Sequence, residues 1–477
     1  MDIRNYINGQ FAEAEEGNLP LINPAEGAGY GSVPRSGEAE VENAISAAKE
    51  AYKSWSQTSI TERARVLARI ADLIDERHEE LSAIESKDNG KPLWLAKKVD
   101  IPRASSNFRF FSQAITQFAS ESHHMVDTAI NYTLRQPLGV VACISPWNLP
   151  LYLFSWKIAP ALAAGNTVVA KPSEVTPASA YILSEICMEA GLPAGVLNII
   201  HGYGHEIGPH LNVHPEVKAI SFTGSTRVGK EIAATAAPLF KKLSLEMGGK
   251  NPNIIFADCN WDKMIKTTVS SSFANQGQIC LCGSRIYVER SIYEEFKKAF
   301  VERASRMKVG HPSAADTKVG AVVSEPHRDK MLSYIEVAKE EGGTILLGGG
   351  PADVPEYPNG YYIQPTIIEG LGPECRVQQE EIFGPVVTLT PFDTEEEALE
   401  LANSTPYGLS ATLWTENLTR AHRMATEIEA GIIWINTWLL RDLRTPFGGV
   451  KQSGIGREGG FEALRFFTEP KNVCISY

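Results

Sequence analysis

Five apolar, β-rich runs, Val140–Ile144, Thr167–Ala170, Val196–Ile200, Val217–Phe222 and Asn253–Phe256, are spaced through residues 138–256 with helical stretches between most of them. Strands that return to a sheet through helices run parallel, so this alternation predicts a doubly wound parallel sheet covered on both faces. Thr176-Pro177 reads as the cap and first position of one of the helices, and Gly191-Leu-Pro193 as its end. A second α/β alternation spans residues 250–451, with helices over Tyr293–Met307, near His327–Glu341 and over Glu395–Asn403, and an apolar strand at Ile432–Asn436. Ahead of both, residues 1–36 read as short strands and turns and Glu38–Ser86 as helical. Ser59-Ile-Thr-Glu62 has capping-box form, and Leu67, Ile70 and Ile74 share a face. An amphipathic helix is expected from Trp94 to Ser120, carrying Arg103 and Arg109. Ile130, Tyr132 and Leu134 alternate as an edge strand able to pair with another chain, and Asn472–Ser476 reads as a last strand.

In open α/β sheets, ligands bind at the carboxyl ends of the strands. Gly202-Tyr-Gly204-His-Glu-Ile-Gly208 follows the third strand with one residue too many for a dinucleotide fingerprint, and is read as a loop. Phe222-Thr-Gly224-Ser225-Thr-Arg-Val-Gly229 leads straight from a strand into a helix, where free N–H groups and the positive helix end face an anion. Two further stretches carry reactive groups. Phe273-Ala-Asn-Gln-Gly-Gln-Ile-Cys280-Leu-Cys282-Gly-Ser-Arg285 ends a polar loop on a cysteine, and a thiol placed there is a nucleophile if exposure and positive neighbours lower its pKa. Leu245-Glu246-Met-Gly248-Gly249-Lys-Asn251-Pro252 sets a carboxylate beside a glycine pair that permits close approach. A cysteine with a glutamate and no paired histidine suits a thiol that forms a thioester and a base that activates water to hydrolyse it.

The charge balance, 45 basic against 57 acidic residues for a net −12, provides no basic face for nucleic acid or an anionic membrane. The most apolar region, residues 137–170, is broken by Pro146, Asn148, Pro150, Lys157 and Pro160, so no membrane span is expected. Seven scattered cysteines fit reduced thiols in a cytoplasmic protein, and Cys280 and Cys282, one residue apart, do not form a zinc pattern; no metal is expected.

Together, the Glu246 and Cys280 stretches resemble the two signature motifs of the NAD(P)-dependent aldehyde dehydrogenases, a likeness that runs from Tyr6-Ile-Asn-Gly9 to about Glu469. The resemblance implies two doubly wound α/β domains and a small β bridging or oligomerisation element. Residues 1–122 and 138–248 would form an NAD-binding domain, 249–451 a catalytic domain, and 123–137 with 452–477 the bridging segments of a homodimer or homotetramer. It makes Cys280 the nucleophile and Glu246 the base, with Asn148 and the Cys280 N–H as the oxyanion hole. It brings Ser145, Trp147, Lys171, Ser173, Gly224, Ser225 and Gly248 to the cofactor, and Glu381 and Phe383 to the nicotinamide end. Glu174, at the end of the second strand, would accept from the adenosine ribose and repel a 2′-phosphate, favouring NAD.

Arg103 and the loop Trp438-Leu-Leu-Arg441 occupy substrate-tunnel positions in this family, and two arginines there imply an anionic substrate. The set most resembles enzymes that oxidise 2-aminomuconate 6-semialdehyde or 2-hydroxymuconate semialdehyde in aromatic catabolism, including the kynurenine route. Arg441 could instead pair with Asp100 or Asp442. Other readings are an aldehyde dehydrogenase for succinate semialdehyde or betaine aldehyde, or a cofactor-free thiol hydrolase.

Overall fold

The computed structural model describes residues 1–477. Two parallel sheets organise it. In the first, β1 (Val140–Ile144), β2 (Thr167–Lys171), β3 (Leu197–Ile199), β4 (Val217–Thr223) and β5 (Lys242–Glu246) run parallel in the order 3-2-1-4-5. Asn5–Ile7 and Gln10–Ala12 extend it antiparallel beyond β3, and Gly454–Ile455 beyond β5. The order reverses between β1 and β4, and at such a switch point the flanking loops part to leave a crevice. The second sheet holds β6 (Asn251–Ile255), β7 (Gly283–Glu289), β8 (Thr366–Glu369), β9 (Val386–Phe392), β10 (Ser410–Trp414) and β11 (Ile432–Ile435) in the order 8-9-7-6-10-11, with Thr344–Leu347 antiparallel at one edge.

The chain crosses from one sheet to the other between Glu246 and Asn251. The Asn253–Phe256 run therefore belongs to the second sheet, and the fifth strand of the first is Lys242–Glu246, which the sequence concealed behind a charge at each end of its Leu243/Leu245 alternation.

The main core of 42 buried residues lies under the first sheet, where helices Ile60–Glu76, Ile101–Ala114, Pro150–Ala163 and Ala178–Glu189 meet. Ser59 caps the first of these by accepting the Glu62 N–H. Thr176 caps nothing: its hydroxyl donates to the Trp147 carbonyl, and the Ala178 N–H is met by Asp88 from another helix, at 2.8 Å. The Gly202 stretch differs from the expected loop: it turns into helix Gly204–Val213. The long helix expected from Trp94 is interrupted by a π turn at Ala96–Asp100 and stops at Gln117. Pro102 has no N–H for the usual bond four residues back, and Ile101 reaches five residues back to Ala96.

Ala129–Pro137 pairs with Ser122–Met125 on one side and, over nine residues, with Thr468–Ser476 on the other, and this small sheet shows Met125, Leu134 and Ile475 to solvent. No helix is long and apolar enough to cross a membrane.

Candidate active site

Glu246 is the last residue of β5, so its carboxylate leaves the sheet at the crevice. It is buried, and neither of its oxygens has a hydrogen-bond partner. Burial, and then the Glu458 carboxylate, push its pKa well above the usual carboxylate range, against Lys157, Arg457 and Arg441. A side chain on Gly448 would put its Cβ 2.6 Å from Glu246 Oε1, so the glycine is what leaves room for the acid. Behind Glu246, Lys157 pairs with Glu458 at 2.7 Å and Ser221 donates to the same oxygen at 3.0 Å.

Cys280 lies in the loop between helix Trp261–Phe273 and β7, which begins with three successive left-handed residues, Asn275 (φ 51°), Gln276 (φ 57°) and Gly277 (φ 68°). Two of these carry side chains, at about 1–3 kcal/mol each. Contacts from elsewhere hold them. Gln276 donates to the Ala321 carbonyl at 2.9 Å, Gln278 accepts from the Val323 N–H at 3.1 Å, and Asn251 donates to the carbonyls of both Cys280 (2.7 Å) and Cys282 (2.9 Å). The expectation of a thiol with a lowered pKa is not met. Burial, followed by the carboxylates of Glu381 and Glu246, drives Cys280 upward, and only Arg441 opposes them. Cys282 is also buried and pushed up to about 12.

Asn148 follows β1 and is buried against the cysteine loop. Its amide donates to the Gln278 carbonyl at 3.0 Å, which leaves the second N–H of that amide uncommitted. The Cys280 N–H has no acceptor in the protein. Trp147, Asn148, Gly224, Ser225, Gly248 and Cys280 line one crevice of about 240 Å³, closed on the far side by Glu381 and Phe383. Glu381 sits directly over Gly248, where a Cβ would come within 2.0 Å of its Oε2, and accepts the Gly249 N–H at 2.9 Å.

Ser225 caps helix Thr226–Ala236 by accepting from Val228 at 3.3 Å, leaving the Thr226 and Arg227 N–H groups without protein acceptors. Lys171, Ser173 and Glu174 stand apart, at the end of β2, and Glu174 borders a neighbouring cleft of about 270 Å³. Lys171 donates to Glu174 at 2.8 Å, which holds that carboxyl below its ordinary range despite burial. Ser145 is not part of either cleft; its hydroxyl is buried without a partner behind β1.

Two residues of the crevice have no signal in the sequence. His327 and Lys330, one helical turn apart, face Phe383. The His327 ring makes an edge contact with Trp147 at 5.0 Å and bonds the Phe383 carbonyl at 2.9 Å, on a backbone held at φ 62°. Burial lowers the pKa of this imidazole to about 4, so it is neutral and its Nε2 donates.

On the other side of the cysteine loop lies a cleft of about 830 Å³ lined by Val99, Arg103, Tyr152, Leu281, Leu439 and Arg441, among others. Asp100 is not a partner of Arg441, being paired with Lys91, and Asp442 is held by Arg444. Arg441 has no acid partner at all. Its guanidinium is sandwiched 4.4 Å from the Trp156 ring and 4.0 Å from Phe447, donates once to the Tyr152 hydroxyl at 3.3 Å, and has Nε and Nη2 buried without acceptors. Arg103 is half-buried over the Tyr152 ring and likewise unpaired, whereas Arg109 is bound to Asp72 and Asp75.

The model of the aldehyde dehydrogenase family matches residues 11–473. A 2-hydroxymuconic semialdehyde dehydrogenase of Pseudomonas sp. (strain CF600) is 49% identical over 99% of each chain. The human 2-aminomuconic semialdehyde dehydrogenase is 49% identical over all of this chain and 98% of its own. The NAD+ complex of an aldehyde dehydrogenase from Bacillus cereus superposes with a TM-score of 0.97 at 39% identity, covering 100% of this chain and 97% of that one. With two sheets meeting at a half-buried cysteine and a buried glutamate, and a family match over nearly its whole length, this chain belongs to the aldehyde dehydrogenase family.

Proposed function

We propose that the chain oxidises a dicarboxylate semialdehyde, of the 2-aminomuconate 6-semialdehyde or 2-hydroxymuconate semialdehyde kind, to the dicarboxylate with NAD. The observation that carries the substrate class is Arg441: a guanidinium with two buried N–H groups unsatisfied, no acid within reach and a second free arginine on the same cleft. Leaving such donors unpaired is costly, and a planar carboxylate is their natural complement. The muconate semialdehyde names of the relatives support the same class. A quaternary ammonium such as betaine aldehyde is repelled by both arginines.

The residues fit a dinucleotide. The free N–H groups at the start of helix Thr226–Ala236 suit a pyrophosphate, and the crevice between Trp147, Cys280 and Glu381 leaves room for the nicotinamide end. Glu174 suits a ribose diol and disfavours a 2′-phosphate. When bound, NAD supplies the hydride acceptor. The protein's residues do the rest. Cys280 Sγ bonds the aldehyde carbon as its proton is released to solvent, and Glu246, with both oxygens free, is kept for the step that follows. The second N–H of the Asn148 amide and the Cys280 N–H receive the oxyanion. Once the thioester has formed, Glu246 takes a proton from water, hydroxide adds to the acyl carbon, and the carbon–sulfur bond breaks to return the thiol. Arg441 and Arg103 hold the remote carboxylate throughout.

We also propose the division into an NAD-binding unit (1–122, 138–248), a catalytic unit (249–451) and bridging segments (123–137, 452–477) through which copies associate as a dimer or tetramer in the cytoplasm; the solvent-facing Met125, Leu134 and Ile475 support that edge as the contact. NADH formation should be measured with both muconate semialdehydes, succinate semialdehyde, betaine aldehyde and a neutral aldehyde of similar length. Preference for the neutral or cationic member would overturn the substrate class.

A further inference from the structure

Glu85, Lys91 and Asp100 are wholly removed from solvent, lie together behind Asn148, and take no part in the chemistry above. An ion taken out of water loses several kcal/mol of hydration, so the contacts of such a cluster decide what it is for. Lys91 follows Gly90, the left-handed end (φ 86°) of helix His78–Asn89, which turns the chain inward. Its Nζ lies 3.1 Å from Asp100 Oδ1 and donates, also at 3.1 Å, to the main-chain carbonyl of Asn148.

Other donors converge on the same peptides. Asn275, from the cysteine loop, donates to the Asn148 carbonyl at 3.0 Å, and Asn89 to the Trp147 carbonyl at 2.9 Å. Glu85 accepts from the Leu151 N–H at 3.3 Å, three residues further on. Burial, opposed by Lys91, raises the pKa of Glu85 beside the Lys91–Asp100 pair. Asp100 closes the π turn. It points inward while Val99 and Arg103 of the same turns line the substrate cleft.

We infer that Lys91, held by Asp100, is a positioning residue: it fixes the peptide of Asn148 so that the side-chain amide stays aimed at the oxyanion, and it ties that amide to the helix carrying Arg103. This rests on the reading of Asn148 as the oxyanion donor. A charge-assisted bond from an ammonium is about twice as strong as a neutral one, and a carbonyl gripped by both Lys91 and Asn275 has little freedom to rotate. Losing an oxyanion donor outright lowers the rate about 10²–10³-fold. Losing its alignment should cost about ten- to a hundred-fold.

The test is single-turnover NADH formation by full-length Lys91→Met, Asn148→Ala and the double variant, with NAD affinity and Tm measured alongside. Lys91→Met should slow NADH formation about ten- to a hundred-fold on charged and neutral aldehydes alike, with NAD affinity unchanged. Because Lys91 acts through the amide, the double variant should be no slower than Asn148→Ala alone. A wild-type rate in folded Lys91→Met, or losses that multiply in the double variant, overturns the inference. If Lys91→Met does not fold, Asp100→Asn decides, since it keeps the side chain's shape but weakens the grip on Lys91: a slower turnover at unchanged NAD affinity supports the role and an unchanged one refutes it. An unaltered rate in Asn148→Ala would instead remove the oxyanion assignment on which the role depends.

Discussion

Arg441 offers the sharpest measurement, because its surroundings separate charge from shape. Its guanidinium is flanked by two aromatic rings, so a methionine in its place retains most of the apolar packing while removing every donor. Two of its donors, Nε and Nη2, have no acceptor in the protein, and the residue borders the cleft beside Arg103. A hydrogen bond to a charged group contributes about 1.5–3 kcal/mol, so losing this grip lowers kcat/KM for the muconate semialdehyde about ten- to a hundred-fold or more. Arg441 also lowers the pKa of Cys280 and Glu246, but it is the last and smallest influence on each, so a neutral aldehyde should lose only a few-fold. Arg441→Lys separates the two effects. The ammonium preserves the charge near Cys280 but has no planar fork, so the neutral aldehyde should be oxidised at close to the native rate while the charged one remains impaired. Arg103→Met should produce the same pattern at smaller amplitude, because that side chain is half-exposed and water already serves its donors. Steady-state kinetics on a charged and a neutral aldehyde of equal length provide the comparison. Equal losses on both would refute the clamp.

Cys280→Ala should abolish aldehyde oxidation with NAD affinity retained, whereas Cys282→Ala should be mild; a thioester trapped on Cys282 would reverse the two roles. Glu246→Gln should accumulate acyl-enzyme after one turnover, visible as a burst of NADH followed by a stall, and full steady-state turnover would exclude it as the base. In the native enzyme Glu246 must be ionised to take the proton from water, and its pKa is raised, so deacylation should decline as pH falls through a value above the ordinary carboxylate range; a rate flat from pH 8 to pH 5 contradicts this. Glu174→Gln should weaken NAD and narrow its advantage over NADP, and unaltered selectivity would place the discriminating group elsewhere.

The strand-and-helix alternation was legible because β1 to β4 are buried on both faces and therefore nearly continuous in apolar residues. β5 escaped because only Leu243 and Leu245 are apolar in it, between a lysine and a glutamate at its ends. The Cys280 and Glu246 stretches could be recognised through their glycines and polar residues, yet their electrostatics could not. Whether the Cys280 thiol is raised or lowered depends first on its burial and then on Glu381, a hundred residues away in sequence and brought over Gly248 only by the fold. The pairing of Arg109 with Asp72 and Asp75, and the isolation of Arg441, are likewise facts of three dimensions. Lys91 and His327 look like surface residues in the sequence, since nothing local distinguishes a buried lysine from a solvated one.

The left-handed run at Asn275–Gly277 has a consequence for how the enzyme comes into being. The conformation is unfavourable alone and is held by carbonyls at Asn148 and Ala321, which lie far apart in the chain. A partly folded or nascent chain thus has the cysteine but no nucleophile, because the loop that presents it forms only when the first sheet, the second sheet and the 321–323 segment have come together. The reactive centre needs all three, and a chain that stalls on the way has a thiol without the Asn148 amide and the Glu246 carboxylate beside it.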